Sequence, residues 1–236
     1  RGLGDVYKRQ YKDIFRVPTF TDLYYLRMGN TNLKPEETSQ YNVGVTWSSS
    51  CGDWLRHFSI SADGYYNTVK DKIVALPTMY VWKMMNMGEV DIKGVDVNLS
   101  TQFRLPLRMS LLLASTYSFQ YAVDVTDPEA KNYKDQIPYT PRHSGTVSVT
   151  LENPWVNVSY ILTAVGDRYA LPQNIDRNRI DSYIEQSISI NRDFRFRYFG
   201  LRLQGELLNL ANVNYDVIQY YPMPGRSWRL SICLSY

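Results

Sequence analysis

The sequence predicts an all-β chain: an antiparallel, up-and-down transmembrane β-barrel, with about nine strands present as an open sheet. Three observations predict it. Apolar and polar residues alternate with period 2 along successive segments. Most of these segments run to roughly ten residues, the length a tilted membrane strand needs, whereas soluble strands average 5–6. The connections are short and long in turn, as in barrels with short turns on one rim and long loops on the other.

The elements follow in order. The first ten residues, "RGLGDVYKRQ", read as a translated sequencing-adapter artefact and are set aside as one would an expression scar. With no initiator Met, the chain is expected to continue upstream. Residues 11–37 are expected to form an extracellular-side loop entering the barrel, and residues 38–236 the barrel itself. Ser39–Trp47 sets Tyr41, Val43, Val45 and Trp47 against Gln40, Asn42 and Thr46. His57–Asn67 follows, then a long loop around Lys70–Met87. Gly88–Phe103 and Arg108–Tyr121 alternate around the short "RLPL". A long loop, "DVTDPEAKNYKDQIPYTP", leads to Ser144–Leu151, which alternates Val147, Val149 and Leu151 with threonine and serine. Trp155–Gly166, Ser182–Arg192 and Phe199–Asn209 come next, and the chain closes on "SWRLSICLSY". Aromatic residues gather near strand ends, among them Trp47, Tyr66, Phe103, Tyr117, Phe119, Trp155, Phe199 and Trp228. Interfacial girdles require that placement.

Composition removes several function classes. The formal charge is +3, and Arg1, Lys8 and Arg9 against Asp5 account for most of it. Without the first ten residues, 23 basic and 22 acidic residues remain, too even a balance for a nucleic-acid partner. Cys51 and Cys233 have neither metal spacing nor a disulfide framework. The longest apolar run, "MSLLLA", is far too short for a membrane helix but says nothing against membrane strands. Only two histidines are present. His143 and Ser144 are adjacent, so on a strand they point to opposite faces and cannot form a nucleophile–base pair. No catalytic constellation emerges; the chain is expected to be no enzyme and to carry no cofactor.

Three segments carry a family likeness. "FRVPTFTDLYYLRMGNTNLKPEETSQYNVGV" (Phe15 to Val45), "IPYTPRHSGTVSV" (Ile137 to Val149) and "LLNLANVNYDVIQYYPMPGRSWRLSICLSY" (Leu207 to Tyr236) occur in the order they take in the C-terminal barrel half of TonB-dependent outer-membrane receptors, which they resemble. The resemblance implies a barrel of about 22 strands in the bacterial outer membrane, with its first half and its plug outside this chain. It implies active import of a scarce ligand, a metal chelate such as a siderophore, or cobalamin. Its partners would be TonB, reached through the plug, the outer-membrane assembly machinery and membrane lipid. A terminal aromatic strand in this family is the assembly signal, which maps to Trp228, Leu230, Ile232, Leu234 and Tyr236.

Ligand-binding candidates come from ringed and basic residues in the long loops: Tyr80, Trp82, Tyr139, Arg168, Tyr169, Tyr220 and Tyr221. Such side chains grip an amphipathic or anionic chelate by stacking and cation–π contact. Arg142 and Arg226, each at the head of a strand, are expected to order the rim. A passive porin or adhesin-type barrel, and a soluble carbohydrate-binding β-sandwich, are the alternatives.

Overall fold

A computed structural model describes residues 5–78 and 80–235. The main body is one antiparallel sheet whose ten strands pair strictly in chain order. These are β1 (Val6–Arg16), β2 (Glu36–Cys51), β3 (Leu55–Pro77), β4 (Trp82–Leu105), β5 (Met109–Asp124), β6 (His143–Glu152) and β7 (Asn157–Val165), then β10 (Tyr183–Arg195), β11 (Gly200–Leu208) and β14 (Ser227–Ser235). Two small ribbons lie within connections: β8 (Arg168–Tyr169) with β9 (Arg179–Ile180), and β12 (Asp216–Ile218) with β13 (Tyr221–Pro222). A single sheet in chain order excludes the packed pair of sheets that a β-sandwich requires.

Strand register sorts the side chains onto two faces. One row reads Val45, Ala62, Val97, Tyr117, Gly145 and Ala164 across β2 to β7. The row beside it, on the opposite face, reads Gly44, Asp63, Asp96, Ser118, Ser144 and Val165. Alternation therefore builds one apolar wall and one polar wall, as lipid-facing and lumen-facing positions of a barrel demand. The polar wall ties itself together: Ser118 donates to Asp96, Asn157 to Asn191 (3.2 Å), and Arg229 pairs with Glu206. Val147, Val149 and Leu151 sit on the apolar wall.

Short turns at 52–54, 106–108, 153–156 and 196–199 share one rim. Connections 17–35, 78–81, 125–142, 166–182 and 209–226 share the other. Trp54 and Phe103 stack at 5.7 Å beside the short-turn rim, and Trp47 meets Phe58 edge-on at 5.3 Å. Near the long-loop rim Tyr11 lies 4.9 Å from Tyr41, which stands directly opposite Tyr66.

The sequence reading needs two corrections. Residues 6–16, divided there between an artefact and a loop, form β1 and pair with β2 along its whole length, Tyr11 against Tyr41. Only 17–35 is the connection. Lys70–Met87 is not a loop: β3 and β4 continue as one hairpin to Pro77 and Trp82. Its charged residues Lys72, Lys83 and Glu89 hide the alternation because this part projects past the apolar band. With β1 counted the sheet has ten strands, in keeping with the nine or so expected. Tyr236, assigned to the assembly signal, lies outside the described residues.

Connection 17–35 folds onto the projecting hairpin. Thr19 and Asp22 form a reciprocal cap on helix α1 (Phe20–Tyr24). Arg16 bridges Asp22 (3.2 Å) and Glu36 (3.0 Å), and Glu36 Oε1 accepts the Ile73 N–H at 2.6 Å. Asn30 and Asn86 stitch the connection to β4 and β3 backbone. A Cβ at Gly29 would come within 2.6 Å of the Leu23 carbonyl oxygen, so this close crossing needs glycine. Buried hydrophobic packing is concentrated on the lumen side of β3–β5. There Val69, Met87, Val90, Ile92 and Ala122 are covered by Ile137 of connection 125–142. Ile137 N donates to Ala122 O at 3.0 Å, which turns that connection inward over the lumen wall.

Candidate ligand site on the long-loop rim

Three connections and the projecting β3–β4 hairpin converge above the lumen wall. Arg168, at the start of β8, is 3% exposed. Its Nη2 donates to the carbonyls of Asp216 (2.5 Å) and Val217 (3.2 Å), which joins connection 166–182 to connection 209–226. The guanidinium also lies 5.6 Å from the Tyr183 ring centroid, and Tyr183 stacks on Tyr215 at 4.1 Å and 17°. Connection 125–142 joins through Tyr139, whose N–H donates to Tyr169 O at 2.7 Å. The projecting hairpin joins through Trp82, 5.6 Å from Tyr139.

Tyr139 holds a left-handed backbone at φ 57°, a conformation that a bulky residue keeps only when its surroundings enforce it. Burial pushes its phenol up from the ordinary tyrosine range; a backbone hydrogen bond at Gln219 and the Arg168 charge pull the other way. The Tyr215 phenol is raised by burial and then by the Glu185 carboxylate. Both phenols thus stay protonated and able to donate at neutral pH.

The predicted residues divide. Trp82, Tyr139, Arg168 and Tyr169 belong to one connected cluster. Tyr80, Tyr220 and Tyr221 stand apart on loop surfaces, 89%, 79% and 67% exposed. Arg168 is expected from sequence to reach ligand, yet its Nη2 is committed to two backbone carbonyls; its buried Nη1 has no protein partner among the described residues. Tyr183 and Asp216 were missed. Asp216 contributes a carbonyl, which no sequence pattern marks, and Tyr183 opens a strand, outside the loops from which the candidates come. Arg226 orders the rim as expected, donating from Nε and Nη2 to Leu210 O at 3.0 and 2.7 Å. Among the described residues no group of His, Cys, Asp and Glu is placed to hold a metal ion. The arrangement can hold a bulky ligand by ring faces and phenol donors.

A two-faced antiparallel wall, with short turns below and an aromatic loop cluster above, is the class of an outer-membrane barrel. The family described as "TonB dependent receptor-like, beta-barrel" matches residues 7–210, and the chain belongs to that family. It is therefore part of an outer-membrane protein. Two curated relatives are vitamin B12 transporters named BtuB. The one from Photobacterium profundum is 27% identical over 224 residues, and the one from Vibrio vulnificus is 24% identical over 221. Each alignment covers 91% of this chain and 32% of the relative, so the chain spans about a third of their length. Among solved structures, the copper transporter OprC superposes with a TM-score of 0.71 at 15% identity, covering all of this chain and 37% of that one. The ferric-catecholate import receptor Fiu from K12 E. coli gives 0.69 at 15%, covering 98% and 33%. These structural likenesses concern the fold. The relatives are transporters and receptors, not enzymes.

Proposed function

We propose that this chain is the C-terminal barrel part of a TonB-dependent importer that carries a scarce ligand, a metal chelate such as a siderophore or else cobalamin, across the outer membrane. The observation that carries the reading is the cluster from Trp82 through Tyr139 and Arg168 to Tyr183 and Tyr215, which joins three long connections and the projecting β3–β4 hairpin over a polar lumen wall. A passive pore needs no such assembly of rings. The identities of 24% and 27% with vitamin B12 transporters make cobalamin the first ligand to try. Energy coupling would run through a plug and TonB-contacting segment outside residues 1–236, and barrel closure would use the missing strands. Residues 1–10 remain assigned as foreign to the native protein, and Trp228, Leu230, Ile232 and Leu234 of β14, with Tyr236, as the assembly signal.

The test is uptake. The complete receptor, expressed in cells lacking their own cobalamin and siderophore receptors, is expected to import radiolabelled cobalamin or an iron-loaded siderophore only when TonB is present. Uptake that persists without TonB would replace the importer with a passive barrel. Absence of uptake for every chelate offered, with the receptor assembled at the surface, would remove this ligand class.

A further inference from the structure

Near the long-loop rim two cations rest on a single ring of the apolar wall, where a lipid-facing surface has little reason to hold charge. Lys93 on β4 stands directly opposite Tyr66 on β3 and Tyr121 on β5. Its Nζ is 5.1 Å from the Tyr121 ring centroid. Arg142, just before β6, brings its guanidinium to 5.2 Å from the same ring. Beside them the His143 ring packs 5.2 Å from Phe119, with its Nδ1 2.9 Å from the Tyr117 hydroxyl.

Depth fixes what these charges meet. Ten residues separate Lys93 from Phe103, which marks the short-turn aromatic belt on the same strand and face. At about 3.3 Å per residue and a tilt near 45°, that is roughly 23 Å, one apolar band. Lys93 and Arg142 therefore lie at the boundary on the long-loop side, where the outer leaflet places its headgroups. On the lumen wall Arg202 pairs with Asp193 at 2.6 Å, and Arg229 with Glu206. Among the described residues Lys93 and Arg142 form no salt bridge. Asp91, two residues along β4 on their face, accepts from Thr68 Oγ1 at 3.2 Å. A positive pair resting on aromatic rings, fixed at headgroup depth and without protein counter-charge, calls for an anion from the membrane.

We infer that Lys93, Arg142 and the rings around them form a docking site for a phosphorylated lipid headgroup of the outer leaflet. The inference rests on the outer-membrane placement of this wall and not on the imported ligand. Tyr66 and Tyr121 would flank the phosphate, and the acyl chains would run down the Val95, Val97 and Leu99 surface.

The test uses protein extracted from outer membranes in mild detergent. Native mass spectrometry would count retained bisphosphorylated lipid A, enzymatically dephosphorylated lipid A and phosphatidylethanolamine. The bisphosphorylated form is expected to be retained at least tenfold better than the dephosphorylated form. Lys93→Gln with Arg142→Gln should erase that preference. Arg192→Gln, which removes the cation packed 4.8 Å from Phe194 near the short-turn rim, should leave it intact. If the double variant does not assemble, the phosphate preference of the wild type and of each single variant decides. Equal retention of both forms by the wild type, or an unchanged preference in the variants, overturns the site while leaving the membrane assignment standing. Recovery of the protein free of membrane would overturn both.

Discussion

Arg168 Nη2 lies 2.5 Å from the carbonyl oxygen of Asp216, 48 residues further along the chain. This contact and the one to Val217, with the Gln219 Nε2 donation to Arg177 O at 3.0 Å, hold connections 166–182 and 209–226 together over the lumen. A buried charge-assisted hydrogen bond contributes about 1.5–3 kcal/mol, and leaving the carbonyls unpaired costs more. Arg168→Gln is expected to loosen both connections: limited proteolysis within 209–226 should accelerate at least tenfold, and ligand affinity should fall by a similar factor. The unfolding temperature of the barrel should barely move, because no strand pairing depends on this side chain. Unchanged cleavage would show that the loops are held by other means.

Gly94 is set by its neighbours. A Cβ there would collide with the Phe119 carbonyl oxygen and come within 2.6 Å of the Tyr65 ring, which lies across the glycine on the lumen wall. Gly94→Ala should therefore reduce the folded fraction, read as loss of the heat-modifiable band in electrophoresis. Tyr65→Phe keeps the ring and should fold normally.

The helix cap predicts a pH dependence. Asp22 is held below the ordinary carboxylate range, first by the Thr19 backbone N–H and also by the Arg16 guanidinium. A depressed native pKa contributes stability that is present above the unfolded value, near 4, and is lost as pH falls through the folded value. Hydrogen exchange in 17–35 should accelerate as pH drops below about 4, relative to the intrinsic rate. In Asp22→Asn that acid-dependent step should vanish, and the segment should exchange faster at neutral pH.

The two walls predict opposite responses from neighbouring residues on one strand. Val97→Arg places a charge in the apolar band and should destabilise by about 2–4 kcal/mol. Asn98→Arg points the same charge into the lumen and should leave stability nearly unchanged. Urea unfolding in lipid vesicles separates them; equal effects would contradict the face assignment.

Much of the fold was legible because period-2 alternation survives wherever a strand has lipid on one side and water on the other. Val95, Val97 and Leu99 against Asp96, Asn98 and Ser100 are such a stretch. It failed where that contrast ends. Above Asp91 and Thr68 the β3–β4 hairpin leaves the apolar band: it packs under connections 17–35 and 125–142, with Val69, Met87 and Val90 buried, and its charged residues mask the alternation. Val6–Gln10 was set aside on grounds of origin, although it pairs as readily as any other segment. The site was half legible. Rings and a guanidinium in the loops were visible, but the contacts that fix Arg168 come from backbone carbonyls and from Tyr183, more than ten residues along the chain. Residue type at a distance carries no trace of such closure.

Pairing strictly between chain neighbours has a consequence for how such walls change size over evolutionary time. Each hairpin with its short turn is a self-contained module: duplicating or deleting one, for example β6–β7, adds or removes two staves and leaves every other register as it was. The circumference can then grow or shrink in steps of two strands, and the bore with it. The outer loops are free to diversify independently of that count.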